Sequence, residues 1–318
     1  MVEFWGYDIS RFVWFCAAGK SFFPGAGLLV IALILARPGK NVRIFISYVL
    51  LVIAAFMIVL SATPLPVWFY ALWVVSVLCH FLLRGHKKTV KRVVGGAAIG
   101  LCVIAVSIEL PFHFQPNLKR GDFERVYIIG DSISAGIGGK DERPWPEIFR
   151  DEYGIEVNDL SVAGATVTTA LKQAGQIDRP ASPDSRASRG GPDAMVFIEI
   201  GGNDLFENTP YNLFEESLSQ ILRKATESGR LVVMLELPLR PRDIRYGRVQ
   251  RRLAEKYGVV LVPKHFFAGI FATKGATIDL VHLSPAGHRL MAERAWNLLK
   301  GSIRRENAKA GQSSAGRQ

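Results

Sequence analysis

The chain has 318 residues, of which 49% are hydrophobic and 21% charged, and 39 Lys and Arg against 28 Asp and Glu give a formal charge of +11. The balance is uneven: residues 1–110 hold ten basic and three acidic side chains, and residues 111–318 hold twenty-nine and twenty-five. The first block's basic surplus sits in short loops between apolar runs, which excludes a nucleic-acid-binding face. Cys16, Cys79 and Cys102 all lie within apolar runs, which excludes a disulfide framework or a thiolate metal site from the polar part.

In chain order, the apolar runs at 42–62, 67–83 and 93–110 each approach the length that crosses about 30 Å of hydrocarbon and read as membrane helices. A fourth run, 12–36, carries Lys20, Pro24 and three glycines and is expected to span as well, which makes residues 1–110 an all-α transmembrane region of about four helices. The start of the chain lacks the basic n-region and short apolar core of a cleavable signal. Arg37, Lys40 and Arg43 precede the second run, and Arg84, Lys87, Lys88, Lys91 and Arg92 separate the third from the fourth, whereas residues 61–66 carry no charge. Basic loops are retained inside, so the last helix runs outward and everything beyond residue 110 is expected on the extracytoplasmic side of the cytoplasmic membrane. Lys20 and His80 are ionisable groups at membrane depth and are read as structural, Lys20 by snorkelling outward and His80 by lying beside the basic loop.

Residues 111–124 form a short linker, reaching at most about 50 Å when extended. Short β-branched runs then alternate with helical stretches across residues 125–300, the pattern of a parallel sheet covered on both faces. Strands are predicted at 126–129, 155–160, 194–200, 231–237 and 259–262, and helices at 213–227, 244–256 and 285–299. Ser284 and Pro285 form a cap and first-turn pair for the last of these. Residues 178–193, rich in Pro, Ser, Arg and Gly, and the tail 301–318 carry no periodic signal and read as mobile.

Ligands of open parallel sheets bind beyond the carboxyl ends of the strands. Four polar blocks fall there: Gly130-Asp131-Ser132, Ser161-Val162-Ala163-Gly164, Gly201-Gly202-Asn203-Asp204 and Asp279-Leu280-Val281-His282. A serine hydroxyl needs a base to become a nucleophile, and an imidazole can serve at neutral pH, so Ser132 and His282 are candidate nucleophile and base. Asp279, three residues before His282, can fix the ring's tautomer and stabilise the imidazolium. The Ser132 and Gly164 amides and the Asn203 side chain are candidate donors to an oxyanion. Asp131 and Asp204 read as structural acceptors. His288, in the last helix, makes a pair with His282 but finds no third ligand for a metal, and His265, flanked by Phe266 and Phe267, reads as packed or exposed rather than catalytic.

Together the four blocks resemble the SGNH, or GDSL-type, hydrolase family over about residues 126–296, and Trp145-Pro146 after the first block resembles its bacterial thioesterase I and arylesterase branch. The resemblance implies a flavodoxin-like three-layer α/β/α domain with a five-stranded parallel sheet. It also implies a Ser132–His282–Asp279 triad, an oxyanion hole of Ser132, Gly164 and Asn203, an acyl-ester substrate, and no metal or cofactor. The membrane region has no counterpart in that soluble branch. No Gly-x-Ser-x-Gly elbow is present, since Ala135 follows Ser134, which sets the chain apart from ordinary α/β-hydrolases. Arg240, Arg242, Arg245, Arg248, Arg251 and Arg252 follow the fourth strand; they read either as a solvated face or as contacts to anionic head groups or an acidic substrate, with Arg240, Arg242 and Arg245 as the candidate binding residues. The expected activity is ester hydrolysis on lipids or acylated glycans at the membrane. An acyltransferase modifying an envelope polysaccharide and a non-catalytic binding module are the alternatives.

Overall fold

The computed structural model describes residues 3–4, 7–36, 41–83, 88–118, 121, 123–177, 194–279 and 281–303. The readings made for 178–193 and for most of 301–318 lie outside the described residues. The chain divides into two compact units, Met1–Phe114 with Pro238–Arg248, and Gln115–Leu237 with Val249–Gln318.

The first unit opens with a two-residue pairing of β1 (Glu3–Phe4) and β2 (Tyr7–Asp8) and continues as helices α1 (Ile9–Ala17), α2 (Phe22–Leu35), α3 (Asn41–Leu60), α4 (Val67–Leu82) and α5 (Lys88–Glu109). Phe22, Leu29, Leu33, Ala54, Ile58, Phe69, Trp73, Ala98, Cys102 and Ala105 make its core. Small residues let the backbones close in: a Cβ on Gly25 would sit 3.0 Å from Ile58 Cγ1 and 3.2 Å from the Ala54 carbonyl oxygen. The outer faces are apolar instead of polar, with Val52, Phe56, Val59 and Trp68 all more than half exposed, the pattern of helices solvated by hydrocarbon.

Two helices, Asn41–Leu60 and Thr89–His113, are long and apolar enough to cross a membrane. The run at 12–36, expected as one span, is apolar enough for one but is broken into two helices that meet at 80°, the shape of a broken span or a re-entrant loop. Gly19 takes φ +76° at the break, Lys20 there is exposed, and Pro24 occupies the first turn of α2, where its missing N–H costs nothing. α4 has 16 residues, about 24 Å at 1.5 Å per residue, and so falls short of the span expected for it. His80 is built into the packing, its Nε2 lying 3.1 Å from the Leu33 carbonyl oxygen and its ring against Gly95, where a Cβ would come within 2.8 Å.

The second unit alternates strand and helix: β3 (Arg125–Gly130), α6 (Ser132–Ala135), α7 (Trp145–Tyr153), β4 (Glu156–Asp159), α8 (Val167–Ala174), β5 (Ala194–Glu199), α9 (Gly202–Glu207), α10 (Tyr211–Thr226), β6 (Leu231–Leu235), α11 (Ile244–Tyr257), β7 (Val260–Val262), α12 (Lys264–Phe271) and α13 (Pro285–Leu299). All five strands are parallel in the order β4-β3-β5-β6-β7, the flavodoxin-like 2-1-3-4-5 arrangement, whose strand order reverses beside β3. Every residue of β5 is buried, because helices cover both faces of the sheet. The caps follow the sequence: Ser284 Oγ accepts from the Gly287 N–H ahead of α13, and Gly154 ends α7 in the left-handed region.

Candidate active site

The first block leaves the carboxyl end of β3 and turns at once into α6. The turn is tight because it is clamped from two sides. Gln173, on α8, accepts from the Gly130 N–H at 3.0 Å and donates to the Gly130 carbonyl at 2.9 Å. The Asp131 carboxylate caps α6 by accepting from the Ile133 N–H at 3.0 Å. Gly130 admits no side chain, since a Cβ would stand 2.6 Å from Ser134 Oγ. Ser132 is thereby the first residue of α6 and is nearly buried.

Beneath it lies a polar network that the sequence did not announce. Ser134 Oγ donates to Glu199 Oε2 at 2.8 Å and accepts from Trp145 Nε1 at 3.2 Å. Glu199 is the last residue of β5 and is buried. Burial, and then the neighbouring Asp131 charge, raise its pKa well above the usual carboxylate range. Burial likewise raises Asp131 to about 6, against the pull of the Ile133 N–H and of His282.

The second and third blocks meet each other. Asn203 Nδ2 donates to the Ala165 carbonyl at 2.9 Å, and Asp204 Oδ2 accepts from the Val167 N–H at 2.9 Å, tying α9 to the start of α8. An amide nitrogen carries two protons, so this bond leaves Asn203 a second donor. Gly164 is exposed at φ +77°, a conformation that favours glycine, and nothing stands within 4 Å of its Cβ position. Gly201, at φ +112°, opens the turn into α9.

The fourth block is a self-bonded loop. Asp279 Oδ2 lies 2.7 Å from His282 Nδ1, and Asp279 Oδ1 accepts from the Val281 and His282 N–H groups, each at 2.7 Å. Burial alone would raise the Asp279 carboxyl, but the bonds from the His282 ring, its N–H and that of Val281 outweigh it and hold the pKa at about 2. Asp279 therefore stays ionised at neutral pH and fixes the ring with Nδ1 toward itself and Nε2 away. The loop rests on α13: the Ser284 N–H donates to Ala276 O at 2.9 Å and Ser284 Oγ donates to Gly275 O at 2.5 Å. A Cβ on Gly287 would come within 1.9 Å of Ala276 O.

His288 takes part in a different bond set. Its Nδ1 accepts from the Trp145 N–H at 3.2 Å and its Nε2 lies 3.0 Å from Glu142 Oε1. Glu142 Oε2 accepts from the N–H groups of Ile137 and Gly139 at 2.9 and 2.8 Å. Burial lowers the His288 pKa, so the ring is a neutral strut between α13 and the loop that follows the serine block. No group of three or more His, Cys, Asp or Glu able to hold a metal occurs among the described residues. Of the arginines, Arg240 Nε donates to Asp243 Oδ2 at 2.5 Å and Arg242 Nε lies 3.7 Å from Asp243 Oδ1. Arg251 pairs with Glu236, and Arg252 with Glu215. Arg240, Arg242, Arg245 and Arg248 all group with the first unit.

Blocks that follow three parallel strands share one rim of the sheet by topology, and His282 is near enough to Asp131 to draw its carboxyl pKa down. Such a sheet, with a serine at a helix start and a carboxylate–imidazole pair on its rim, defines an SGNH-type α/β hydrolase domain. The chain belongs to the GDSL-like lipase/acylhydrolase family, whose model matches residues 128–290. It is 29% identical over 185 residues to an arylesterase of Vibrio mimicus, covering 54% of this chain and 85% of that one. Esterase TesA of Pseudomonas aeruginosa is 27% identical over 183 residues, with 56% and 88% covered. A crystal structure of TesA superposes with a TM-score of 0.46 at 25% identity, covering 55% of this chain and 98% of that one. The protein is a carboxylic ester hydrolase of this family, and the matched residues 128–290 belong to the second unit apart from Pro238–Arg248.

Proposed function

We propose that the chain is a membrane-anchored serine ester hydrolase in which Ser132 forms an acyl-enzyme. His282 takes the Ser132 proton through Nε2 as the hydroxyl attacks the ester carbonyl, then delivers it to the leaving alkoxide. Water attacks the acyl-enzyme by the same route and releases the acid. Asp279 orients the ring and stabilises the imidazolium. The amides of Ser132 and Gly164 and the side chain of Asn203 receive the oxyanion; an N–H at a helix start, an exposed loop N–H and a carboxamide with a proton to spare are suited to that work. The 2.7 Å bond between Asp279 and His282 Nδ1 carries this reading, because it turns Nε2 away from the carboxylate and prepares it as the base.

Two helices long and apolar enough to cross a membrane support the anchored reading. Loop charge supports an extracytoplasmic catalytic domain, and the short connection at 111–124 favours acyl esters of lipids or acylated envelope glycans close to the bilayer.

Full-length protein is assayed on a short-chain aryl ester. Ser132→Ala is expected to lower kcat by about a thousandfold or more with the thermal midpoint preserved, and full retention of turnover would overturn the assignment. Product analysis with a glycan acceptor present separates hydrolysis, which gives free acid, from transfer, which gives acylated sugar.

A further inference from the structure

Within the first unit, α2, α3 and α4 enclose an apolar groove of about 440 Å³. Leu29, Leu51 and Ile58 line its depth with Trp73 and Val77, and Ala55, Val59, Val74 and Leu78 line its open side. From Tyr70 to Leu78 it follows α4 for about 12 Å at 1.5 Å per residue, and its volume falls in the ordinary range of ligand pockets, about 300–1,000 Å³.

The two ends of the groove differ in chemistry. At the α3–α4 turn stand Tyr70, whose hydroxyl donates to the Thr63 carbonyl at 2.8 Å, and Arg248, whose Nε donates to the Leu65 carbonyl at 2.7 Å. The segment that brings Arg248 there belongs to the same unit and is pressed against the turn: a Cβ on Gly247 would stand 2.9 Å from Pro64 Cγ. Arg240, Arg242, Arg251 and Arg252 all pair with acids. Arg248 differs from these four, because its guanidinium has a carbonyl bond at Nε and no carboxylate partner among the described residues. That leaves its two terminal nitrogens to recognise an anion, and a guanidinium fork matches a phosphate in two parallel bonds. At the other end, near Leu51 and Leu78, the walls are apolar throughout.

A cation at the turn and a hydrocarbon-lined channel running from it along the helices match the two parts of one molecule. We infer that the groove binds an anionic phospholipid, with one acyl chain along α4 and the phosphate on Arg248. The open side of exposed Ala55, Val59, Val74 and Leu78 is the lateral entry from the bilayer. This inference rests on the membrane reading of the first unit and is independent of the chemistry at Ser132.

The test uses purified full-length protein in detergent, equilibrated with equimolar phosphatidylglycerol and phosphatidylcholine of identical acyl chains and read by native mass spectrometry. The wild type is expected to retain one lipid and to prefer phosphatidylglycerol by about tenfold, the factor that corresponds to 1.4 kcal/mol. Arg248→Gln is expected to erase the preference, and Arg248→Lys to keep most of it. Ala55→Trp, which fills the groove from its exposed wall, is expected to remove the retained lipid of both kinds; should that variant fail to fold, Val59→Trp serves in its place. Equal retention of the two lipids by the wild type, retention of neither, or an undiminished preference in Arg248→Gln would overturn the proposal. Carbonate extraction of membranes is run alongside: a chain released by carbonate refutes the embedded first unit itself, whereas a retained chain indifferent to lipid refutes the groove alone.

Discussion

Glu199 stands directly behind the turn that presents Ser132, held by the Ser134 hydroxyl, and its charge is costly there. A carboxyl whose folded pKa is raised contributes stability that is fully present below its unfolded value, about 4.3, and is lost as pH rises through the folded value. Glu199 is raised well above the ordinary range by burial and by Asp131, which itself sits at about 6. Wild-type stability should therefore decline from about pH 4 upward, the share of Asp131 being lost by about pH 6 and that of Glu199 falling further beyond it. Glu199→Gln removes one of them and keeps a group able to meet Ser134. The difference in thermal midpoint between variant and wild type is expected to move in the variant's favour between pH 5 and pH 8. A difference that does not change with pH, followed by differential scanning calorimetry across that range, would show that Glu199 is not held protonated.

The loop from Gly275 to Ser284 and helix α13 act as one element, and Gly287 is the reason they can. Its missing side chain lets the Ala276 carbonyl oxygen come to a place 1.9 Å from where a Cβ would be, so the loop lies flat against the helix start and the Asp279–His282 pair is carried at a fixed height. Gly287→Ala must push the loop outward. It is expected to cost about 1–3 kcal/mol of stability as overpacking and to lower kcat more than it raises KM, because a displacement of about 1 Å at the base can cost about a hundredfold in rate. Aryl-ester kinetics together with a thermal melt check this; unchanged kcat in the folded variant would mean that the loop is positioned by its own bonds alone.

At this scale the limits of the sequence are visible. As candidates, Ser132, Asn203, Asp279 and His282 were legible because each lies in a short motif of chemically demanding residues, the first two after predicted strands and the pair just before the last helix. Gln173, Glu199, Glu142 and Gly287 were not, because each is an ordinary residue whose role comes from tertiary packing. Glu199 meets Ser134 across 65 positions and His288 meets Glu142 across 146. The strand and helix pattern of the second unit was readable because continuous apolar strands and amphipathic helices differ in period. In the first unit everything is apolar, so the period is silent and only a break such as Gly19 marks where one expected span becomes two helices.

For the whole molecule the deciding element is α4. Helices α3 and α5 have the length of spans. If both run outward, as the basic loops before them require, the chain must return across the membrane between them, and α4 is the element available. Its 16 residues reach about 24 Å, less than the hydrocarbon thickness of about 30 Å, a mismatch that local thinning of the bilayer accommodates at a fraction of a kcal/mol per Å. We propose that α4 crosses, since Arg84, Lys87 and Lys88 follow it while residues 61–66 before it are uncharged. Single cysteines are placed at Pro66, the exposed residue of the uncharged turn, and at His86 in a background with Cys16, Cys79 and Cys102 replaced by Ser or Ala, and labelled in intact cells with a membrane-impermeant maleimide. The cysteine at 66 is expected to react and the one at 86 to react only after permeabilisation. Labelling of both from outside would put the two loops on one face, leave α4 as a re-entrant or surface helix, and reverse the direction of α5, moving the hydrolase domain to the cytoplasmic side.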